Sequence, residues 1–544
     1  MDPLETKAKE IMTRQQALES QRQPWVTHWE DVASYLLPRY AQTFRLVNQK
    51  GRTQAVQNTD KIFDPAPTLA LNKFAAAMDS MLTPRTQKWH RLRSTDDTLN
   101  RNANVTRYFD DVAQRLFKFR YAPKANFSSQ MFEHWQSIGA FGTACMFVDR
   151  LDGGGLRYKS LHLGEVFFSE NHQGVIDTVY RKFLLKAYQA VRQFGDKCPK
   201  PIREAAENDT RRNEEYTFIH AVYPNKNKDS KRKDYKGMAY ASCYIACNPL
   251  AVISEGGYET FPFPISRYVT AAGEMYGRSP ASEVLPAIKG LNEQKKTVLK
   301  MGQRAVDPIL LAYDDGVVGT VNLRPGYVNY GAIDSQGRKL VQPLDGPSNL
   351  VIGKDLMEDE RSIINEGFWV TLFQILVETP QMTATEVMER VKEKAALLAP
   401  MMGRQQSECL GPLIERELDI LQREGVLPPM PPELVEAGGE FEIIYESPLS
   451  RSMQAEEASG FMRTLETAIN VSQATQDPAA LDWLNVDVAM PEIADIQAVP
   501  ARWLRSLEEV QSIRQNRQSA AEQQQMADAA PAIASILKTT GSAA

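Results

Sequence analysis

The stretch from Tyr276 to Arg390 constrains the fold most, because it predicts two long helices on either side of a module rich in Gly and Pro. The first helix is predicted to open at Ser279-Pro280, since Ser is a good N-cap and Pro is tolerated at the first helical position. The second is predicted to open at Asp355, because Asp355-x-x-Glu358 has the form of a capping box. We therefore expect two antiparallel helices that can pair.

Each of these helices has one apolar side. In the first helix, apolar or small residues recur at intervals of three or four, and the remaining surface is basic. From residue 280 to 305 there are five basic and two acidic residues. The apolar positions are Val284, Ile288, Leu291, Val298 and Gly302 in the first helix, and Ile363, Ile364, Phe368, Leu372, Phe373 and Leu376 in the second.

Length and composition predict a large globular protein. A chain of 544 residues is too long for one compact core, and 43% hydrophobic with 24% charged residues is typical of folded domains. The longest apolar run, residues 368–377, is half of the ~20 residues that span a bilayer, so no membrane segment is expected. The first residues lack the pattern of a secretion signal, which favours a protein assembled in a cytoplasm. The five cysteines are scattered and odd in number, which favours reduced thiols.

The patterns along the chain predict an α+β fold that is predominantly helical. Helices are expected at 4–18, 25–36, 64–84, 105–119 and 127–141, with an exposed loop over 39–63. Short strands follow from 144 to 183 as one antiparallel meander, then a helix at 187–194 and further strands up to 269. Small strands at 308–313, 316–319, 321–323 and 327–330 belong to the central module. Later elements are a helix from 383 to 399, a strand at 441–445 that rejoins the central sheet, and helices at 455–473, 479–484 and 502–516.

A search for catalytic and binding motifs finds little chemistry. The nearest match to a nucleotide-binding loop, Gly346 to Asp355, has six residues between its glycines where four are required, and an Asp where Mg²⁺ binding needs Ser or Thr. The six histidines show no metal-binding spacing, and Cys243 and Cys247 have no second pair nearby. The net charge of −5 argues against tight electrostatic binding of nucleic acid. No cofactor is therefore expected.

The order of the elements resembles the portal, or head-to-tail connector, proteins of T7-like short-tailed bacteriophages. The resemblance is carried by Trp25–Pro38, by Tyr276-Gly277-Arg278-Ser279-Pro280 at the start of the first long helix, and by Met382-Thr383-Ala384-Thr385-Glu386-Val387 after the second. Each segment is short, but their order and separation extend the match over nearly the whole chain.

This resemblance implies a division of the chain into a wing, a stem, a clip and a crown. Residues 1–279 and 386–450 would form the wing, helices 280–305 and 355–377 the stem, and 306–354 the clip. Residues 378–385 would form a tunnel loop, and 451–544 the crown with a C-terminal tail.

The resemblance also implies a function and partners. Such proteins form a homo-oligomeric ring, commonly a dodecamer, at one capsid vertex of the virion, and double-stranded DNA passes through the channel. Expected partners are the terminase packaging motor, the tail adaptor protein, and the major capsid and scaffolding proteins. A DNA-processing enzyme of the packaging machinery, either an ATPase or a nuclease, and an internal or capsid structural protein are the alternatives.

Candidate site residues follow from the same resemblance. The stem cations could line the channel, face outward towards capsid protein, or pair with Glu358, Asp359 and Glu360 of the second helix. The uncharged segment after the stem could be the tunnel loop or a plain helix break. The candidates are Lys295, Lys296, Lys300 and Arg304 for the channel wall; Thr379, Pro380, Gln381, Met382 and Thr383 for the tunnel loop; Val284, Ile288, Leu291, Phe368 and Leu372 for packing between subunits; and Arg324, Arg338 and Lys339 for docking by the clip.

Overall fold

A computed structural model gives the fold of this protein. Besides a few single positions, it describes residues 3–41, 61–229, 234–307, 309–312, 326–330, 332–343, 350–377, 399–446, 448–475, 481–496 and 509–520. The predicted tunnel loop, the predicted strands 316–319 and 321–323 except Asn322, the helix predicted from 383 to 399 except Ala399, and the last 24 residues lie outside the described residues.

The N-terminal part is helical, as predicted. Its helices are α1 (Pro3–Leu36), α2 (Ala66–Leu82), α3 (Ala103–Arg120) and α4 (Phe127–Phe141). The prediction of two separate helices before residue 36 was wrong, because α1 continues through Pro24. Its buried face, including Ile11 and Trp29, stays in register on both sides of the proline, so packing outweighs one lost backbone hydrogen bond.

The strands predicted between 144 and 183 do not form one meander. They divide between two antiparallel sheets at a short turn, Leu163–Glu165. The three-stranded sheet has the order β3 (Leu156–Leu161), β2 (Thr143–Arg150), β9 (Ile265–Arg267). The five-stranded sheet runs in sequence order: β4 (Val166–Glu170), β5 (Ile176–Lys186), β6 (Glu215–Pro224), β7 (Tyr240–Cys247) and β8 (Leu250–Tyr258). Two helices, α5 (Ala187–Phe194) and α6 (Lys200–Glu207), lie between β5 and β6.

The strand expected to rejoin the central sheet pairs elsewhere. Strand β12 (Phe441–Tyr445) pairs antiparallel with β1 (His90–Ser94), which the sequence patterns did not predict. The second, fourth and fifth residues of β1 are Arg91, Arg93 and Ser94, so too few apolar residues alternate to give a strand signal.

The predicted long helices both occur, and both are interrupted. The first consists of α7 (Pro280–Glu283) and α8 (Leu285–Val306), because Pro286 starts a new helix. The second begins at Leu350, five residues before the predicted capping box, as α9 (Leu350–Gly367), and continues as α10 (Val370–Val377). Between α8 and α9, β10 (Leu310–Ala312) pairs antiparallel with β11 (Val341–Pro343). The described residues 327–330 are not a strand, contrary to the prediction.

The C-terminal part is helical beyond a short connection. A helical stretch from 399 leads through a wide π turn, Gln406–Leu410, into α11 (Gly411–Arg423). Later helices are α12 (Pro432–Glu436), α13 (Pro448–Thr475), α14 (Val486–Ile496) and a helix over 509–520. The helix predicted at 479–484 is wrong: the residues described there form turns. In the described part of the chain, no helix combines the length and apolar character needed to cross a bilayer.

A buried ion pair joins the N-terminal helices to α11. The guanidinium of Arg120 in α3 donates to both carboxylate oxygens of Glu417, at 3.0 and 3.1 Å from Nε, and both side chains are fully buried. The hydroxyl of Tyr158 in β3 donates to the same carboxylate at 2.6 Å. The Glu417 carboxylate accepts hydrogen bonds from both Arg120 and Tyr158. Removing its charge therefore leaves the buried guanidinium of Arg120 without a counter-ion.

We therefore expect Glu417→Gln to lower the free energy of unfolding of the protein by about 3 to 5 kcal/mol. Urea denaturation followed by tryptophan fluorescence measures this change. The matched control is Arg93→Ala, which breaks the pair between Arg93 and Glu442 on the exposed surface and should cost at most about 1 kcal/mol. Equal costs for the two variants would contradict the importance of the buried pair.

Candidate functional site

Helices α8 and α9 pack as an antiparallel hairpin, and glycines set their distance. A Cβ atom on Gly353 would lie 2.9 Å from Cγ2 of Val298, and one on Gly367 would overlap the side chain of Val284. A Cβ atom on Gly290 would lie 3.3 Å from a carboxylate oxygen of Glu360. Small residues at these positions let the two backbones approach closely, and the contacts fix the register of the hairpin.

The start of the hairpin is held tightly to the body. The Ser279 hydroxyl caps α7 by accepting the amide N–H of Ser282 at 3.0 Å and donates to the carbonyl of Ala140 at 2.9 Å. The amide of Gly277 donates to the Thr143 hydroxyl at 2.8 Å. A Cβ atom on Gly277 would overlap the carbonyl oxygen of Gly142, so only glycine fits. The predicted N-cap at Ser279 is thus confirmed, whereas no sequence pattern indicated the contact of Ser279 with Ala140 or that of Gly277 with Thr143.

One side of the hairpin is tied to the segment 61–64. The amide side chain of Asn292 in α8 donates to the carbonyl of Lys61 at 2.6 Å and accepts the N–H of Phe63 at 2.8 Å. On α9, Arg361 forms an ion pair with Asp64 at 2.8 Å. Residues 61–63 fall in the predicted exposed loop and Asp64 opens the helix predicted at 64–84, so the sequence patterns did not identify this segment as a support of the hairpin.

The second stem helix breaks at Trp369. This residue has a φ of 58°, a left-handed conformation that is unusual for a bulky side chain. Its indole N–H donates to the hydroxyl of Tyr268 at 2.9 Å, and the preceding Phe368 is fully buried. Burial raises the pKa of Tyr268, so the hydroxyl stays protonated at neutral pH. The surrounding contacts therefore hold a strained backbone shortly before the predicted tunnel loop.

The residues predicted to pack between subunits are largely core residues of the single chain. Ile288, Leu291 and Phe368 are 1%, 0% and 0% exposed, and Val284 is also buried. Leu372 is half-buried. Four of the five therefore offer a neighbouring subunit almost no surface, because α8, α9 and the body already enclose them. Other apolar side chains of the hairpin are exposed instead: Leu299, Val306, Ile352, Leu356 and Ile363.

The four predicted channel cations do not share one side of α8. Lys296, Lys300 and Arg304 follow at intervals of four and form one row, whereas Lys295 lies about 100° away from Lys296. Lys296 pairs with Glu293 of its own helix at 3.1 Å, while Lys300 and Arg304 are exposed. Among the described residues, no ion pair joins these cations to an acidic residue of α9, and Glu358 pairs with Arg361 of its own helix.

The predicted clip residues lie on an exposed surface. Arg338 forms an ion pair with Asp334 at 3.1 Å, and Arg324 and Lys339 are exposed. Large side chains are exposed nearby, with Tyr330 87% and Val328 63% accessible. A small unit that exposes this much apolar surface is typical of a region that contacts other proteins.

The structure offers little for catalysis. Among the described residues, no group of three His, Cys, Asp or Glu side chains is placed to hold a metal ion. The described residues include three contacts between a histidine and a serine hydroxyl: His28 with Ser282 at 2.8 Å, His220 with Ser242 at 2.9 Å and His134 with Ser266 at 2.6 Å. Only the His134 contact also includes a thiol, Cys409 Sγ at 3.5 Å from Nε2, and it is fully buried. Burial lowers the pKa of His134 to about 3 and raises that of Cys409 to about 12, so both stay neutral at physiological pH. These residues pack the core.

Comparison with known proteins covers nearly the whole chain. A family model described as bacteriophage head to tail connecting protein matches residues 8–504. A probable portal protein of Bordetella phage BPP-1 is 29% identical over 537 residues, which cover 97% of this chain and 93% of that protein. The portal protein of Salmonella phage epsilon15 is 28% identical over 546 residues, which cover 98% of this chain and 95% of that protein.

The root of the hairpin yields a test. We expect Gly277→Ala to lower the melting temperature of the protein by several degrees, because the new methyl group would overlap the Gly142 carbonyl. Differential scanning fluorimetry measures the shift. The control is Gly302→Ala in α8, where no atom lies within 4 Å of the added methyl group. This control should be neutral or stabilise the helix by up to about 1 kcal/mol. A larger loss at Gly302 than at Gly277 would contradict the account of the root.

Proposed function

This chain belongs to the family of bacteriophage head-to-tail connecting proteins, and we propose that it forms the portal ring at one vertex of the capsid. The proposal rests on the family match from residue 8 to 504 together with the hairpin of α8 and α9. In this role the ring nucleates head assembly and forms the channel through which double-stranded DNA enters and leaves. It is a component of the virion that is assembled in the host cytoplasm.

The exposed apolar surface of the hairpin is the structural observation that supports assembly into a ring. Towards the body, Asn292 and Arg361 bind the segment 61–64. Farther out, Leu299 and Val306 on α8 are 46% and 88% exposed. Helix α8 has 22 residues and is about 33 Å long, so its outer half projects beyond these supports. A projecting helix pair with exposed apolar residues gains stability from lateral neighbours, and repeated head-to-tail contacts close into a ring.

We assign the parts of the ring to segments of the chain. Residues 1–279 and 386–450 form the wing, 280–305 and 355–377 the stem, 306–354 the clip, 378–385 the tunnel loop, and 451–544 the crown. The helix breaks at Val284 and Trp369 suit this division, because they lie where the proposed stem helices would meet the wing. Helix α9 begins at Leu350, so its first turn would belong to the clip.

The charge distribution suits a conduit. With a net charge of −5, the chain lacks the overall positive charge that favours tight binding of phosphate, which suits a channel in which DNA slides. Arg304, exposed near the outer end of α8, is the stem cation that we favour for the channel wall. The uncharged segment Thr379–Thr383 is proposed as the tunnel loop, where it makes weak contacts with passing DNA.

The proposed partners follow from the position at the vertex. The clip, with Arg324, Arg338 and Lys339, docks first the terminase motor and later the tail adaptor protein. The wing contacts the major capsid and scaffolding proteins. The chain itself has a structural and non-enzymatic role, so the motor supplies the ATP hydrolysis and the DNA cleavage.

Purified protein should therefore form closed annular oligomers, commonly of twelve copies, that negative-stain electron microscopy reveals as rings with a central hole. The same preparation should show no Mg²⁺-dependent ATP hydrolysis and no DNA cleavage. Monodisperse monomers at high protein concentration would contradict the ring, and turnover of ATP that copurifies with the protein would favour a packaging enzyme.

A further inference from the structure

The two exposed apolar surfaces of the hairpin lie on opposite sides. Leu299 is seven residues, or nearly two turns, after Asn292, so it lies on the side that faces the segment 61–64. On α9, Arg361 binds Asp64 and therefore lies on that same side. Ile363 is two residues after Arg361 and points about 200° away. Leu356 and Ile352 precede Ile363 by seven and eleven residues, close to two and three turns, so these three form one strip on the far side.

Both surfaces are accessible in the single chain. Ile352, Leu356 and Ile363 are 55%, 50% and 50% exposed, and Leu299 is 46% exposed. We call Ile352, Leu356 and Ile363 the α9 strip, and we call Leu299 with the helix surface around it the α8 patch. A head-to-tail contact between copies joins two different surfaces, so each copy must present both of them. The α9 strip and the α8 patch, on opposite sides of the hairpin, meet this requirement.

The charges that border these surfaces have opposite signs. Asp355 and Asp359 lie three and seven residues after Ile352 and flank the α9 strip. Lys296 and Lys300 lie on either side of Leu299 in the sequence and flank the α8 patch. Among the described residues, no ion pair is formed by Lys300, Asp355 or Asp359, and the pair of Lys296 with Glu293 is a surface contact.

The heights along the hairpin also match. Gly353 faces Val298 across the hairpin, so Leu299 is level with Ile352 and Lys296 is level with Asp355. Copies related by rotation about an axis along the stem keep these heights. The α8 patch of one copy and the α9 strip of its neighbour then bring apolar residues together and place lysines against carboxylates.

We infer that the α9 strip docks on the α8 patch of the next copy, with Lys296 level with Asp355. Lys300 and Asp359 each lie one helical turn from that pair, on opposite sides of it along the stem. This inference rests on the proposed ring and names the surface that closes its stem. It assigns Lys296 and Lys300 to the contact between subunits, and it leaves Arg304 at the other end of their row for the channel. The buried residues Ile288 and Leu291 stabilise the protomer that presents these surfaces.

The test exchanges the charges across the interface. One variant carries Lys296→Glu and Lys300→Glu, another carries Asp355→Lys and Asp359→Lys, and a third carries all four changes. Mass photometry across a concentration series gives the protein concentration at which half of the chains are in rings. Each double variant brings like charges together and should raise that concentration by at least about tenfold. The fourfold variant restores opposite charges and should assemble within about threefold of the wild type.

Lys231→Glu, on the exposed tip of the hairpin between β6 and β7, is the matched control and should assemble like the wild type. Recovery in the fourfold variant excludes misfolding as the cause of the losses. Double variants that assemble normally, or a fourfold variant that assembles no better than either double variant, would overturn the interface while leaving the ring itself intact. A wild-type protein that forms no ring would instead overturn the proposed function.

Discussion

The close packing of α8 on α9 is the constraint on which the stem depends. Gly353 and Gly367 let the helices approach until Val298 and Val284 touch the opposite backbone, and this contact sets the register of every other residue in the hairpin. The same packing turns Leu291 and Phe368 inward and leaves Leu299 and Ile352 outside. One set of contacts thus decides which residues stabilise a single chain and which are available to a second copy.

The hairpin is rigid at its root, and its two helices leave the body by different means. On the first helix, Ser279 caps the start, and the contact of Gly277 with Gly142 fixes the chain against β2. On the second helix, the strained backbone at Trp369 and its hydrogen bond to Tyr268 change the direction of the chain. In the proposed ring, such a junction would fix the position of each hairpin relative to the rest of its chain.

Much of the fold was predictable because it depends on local patterns. The helices at Phe127–Phe141 and Ala187–Phe194 begin and end where the apolar periodicity and the following Gly predict. The N-cap at Ser279 was predicted from Ser279 and Pro280 alone. The continuous α1, the separate sheet of β1 and β12, and the break at Trp369 depend on contacts between residues far apart in the sequence, so no local pattern indicated them.

The candidate site was predictable only in outline. The sequence identified the paired helices and their apolar positions, but it could not distinguish residues that face the protomer core from residues that face a neighbour. Ile288 and Ile363 have similar positions in their patterns, yet one is 1% and the other 50% exposed. The difference arises from the segment 61–64 and from the glycine contacts, which the helical period does not encode.

Cross-linking of a variant that carries both Leu299→Cys and Ile352→Cys tests the central claim most directly. A head-to-tail contact between the stem surfaces places the two new thiols of neighbouring copies within reach of a disulfide. Oxidation should then produce a ladder of covalent species that extends beyond the dimer, on a denaturing gel without reductant, while either single variant should remain monomeric. A ladder that stops at the dimer, or no cross-linking in protein that forms rings, would contradict the account.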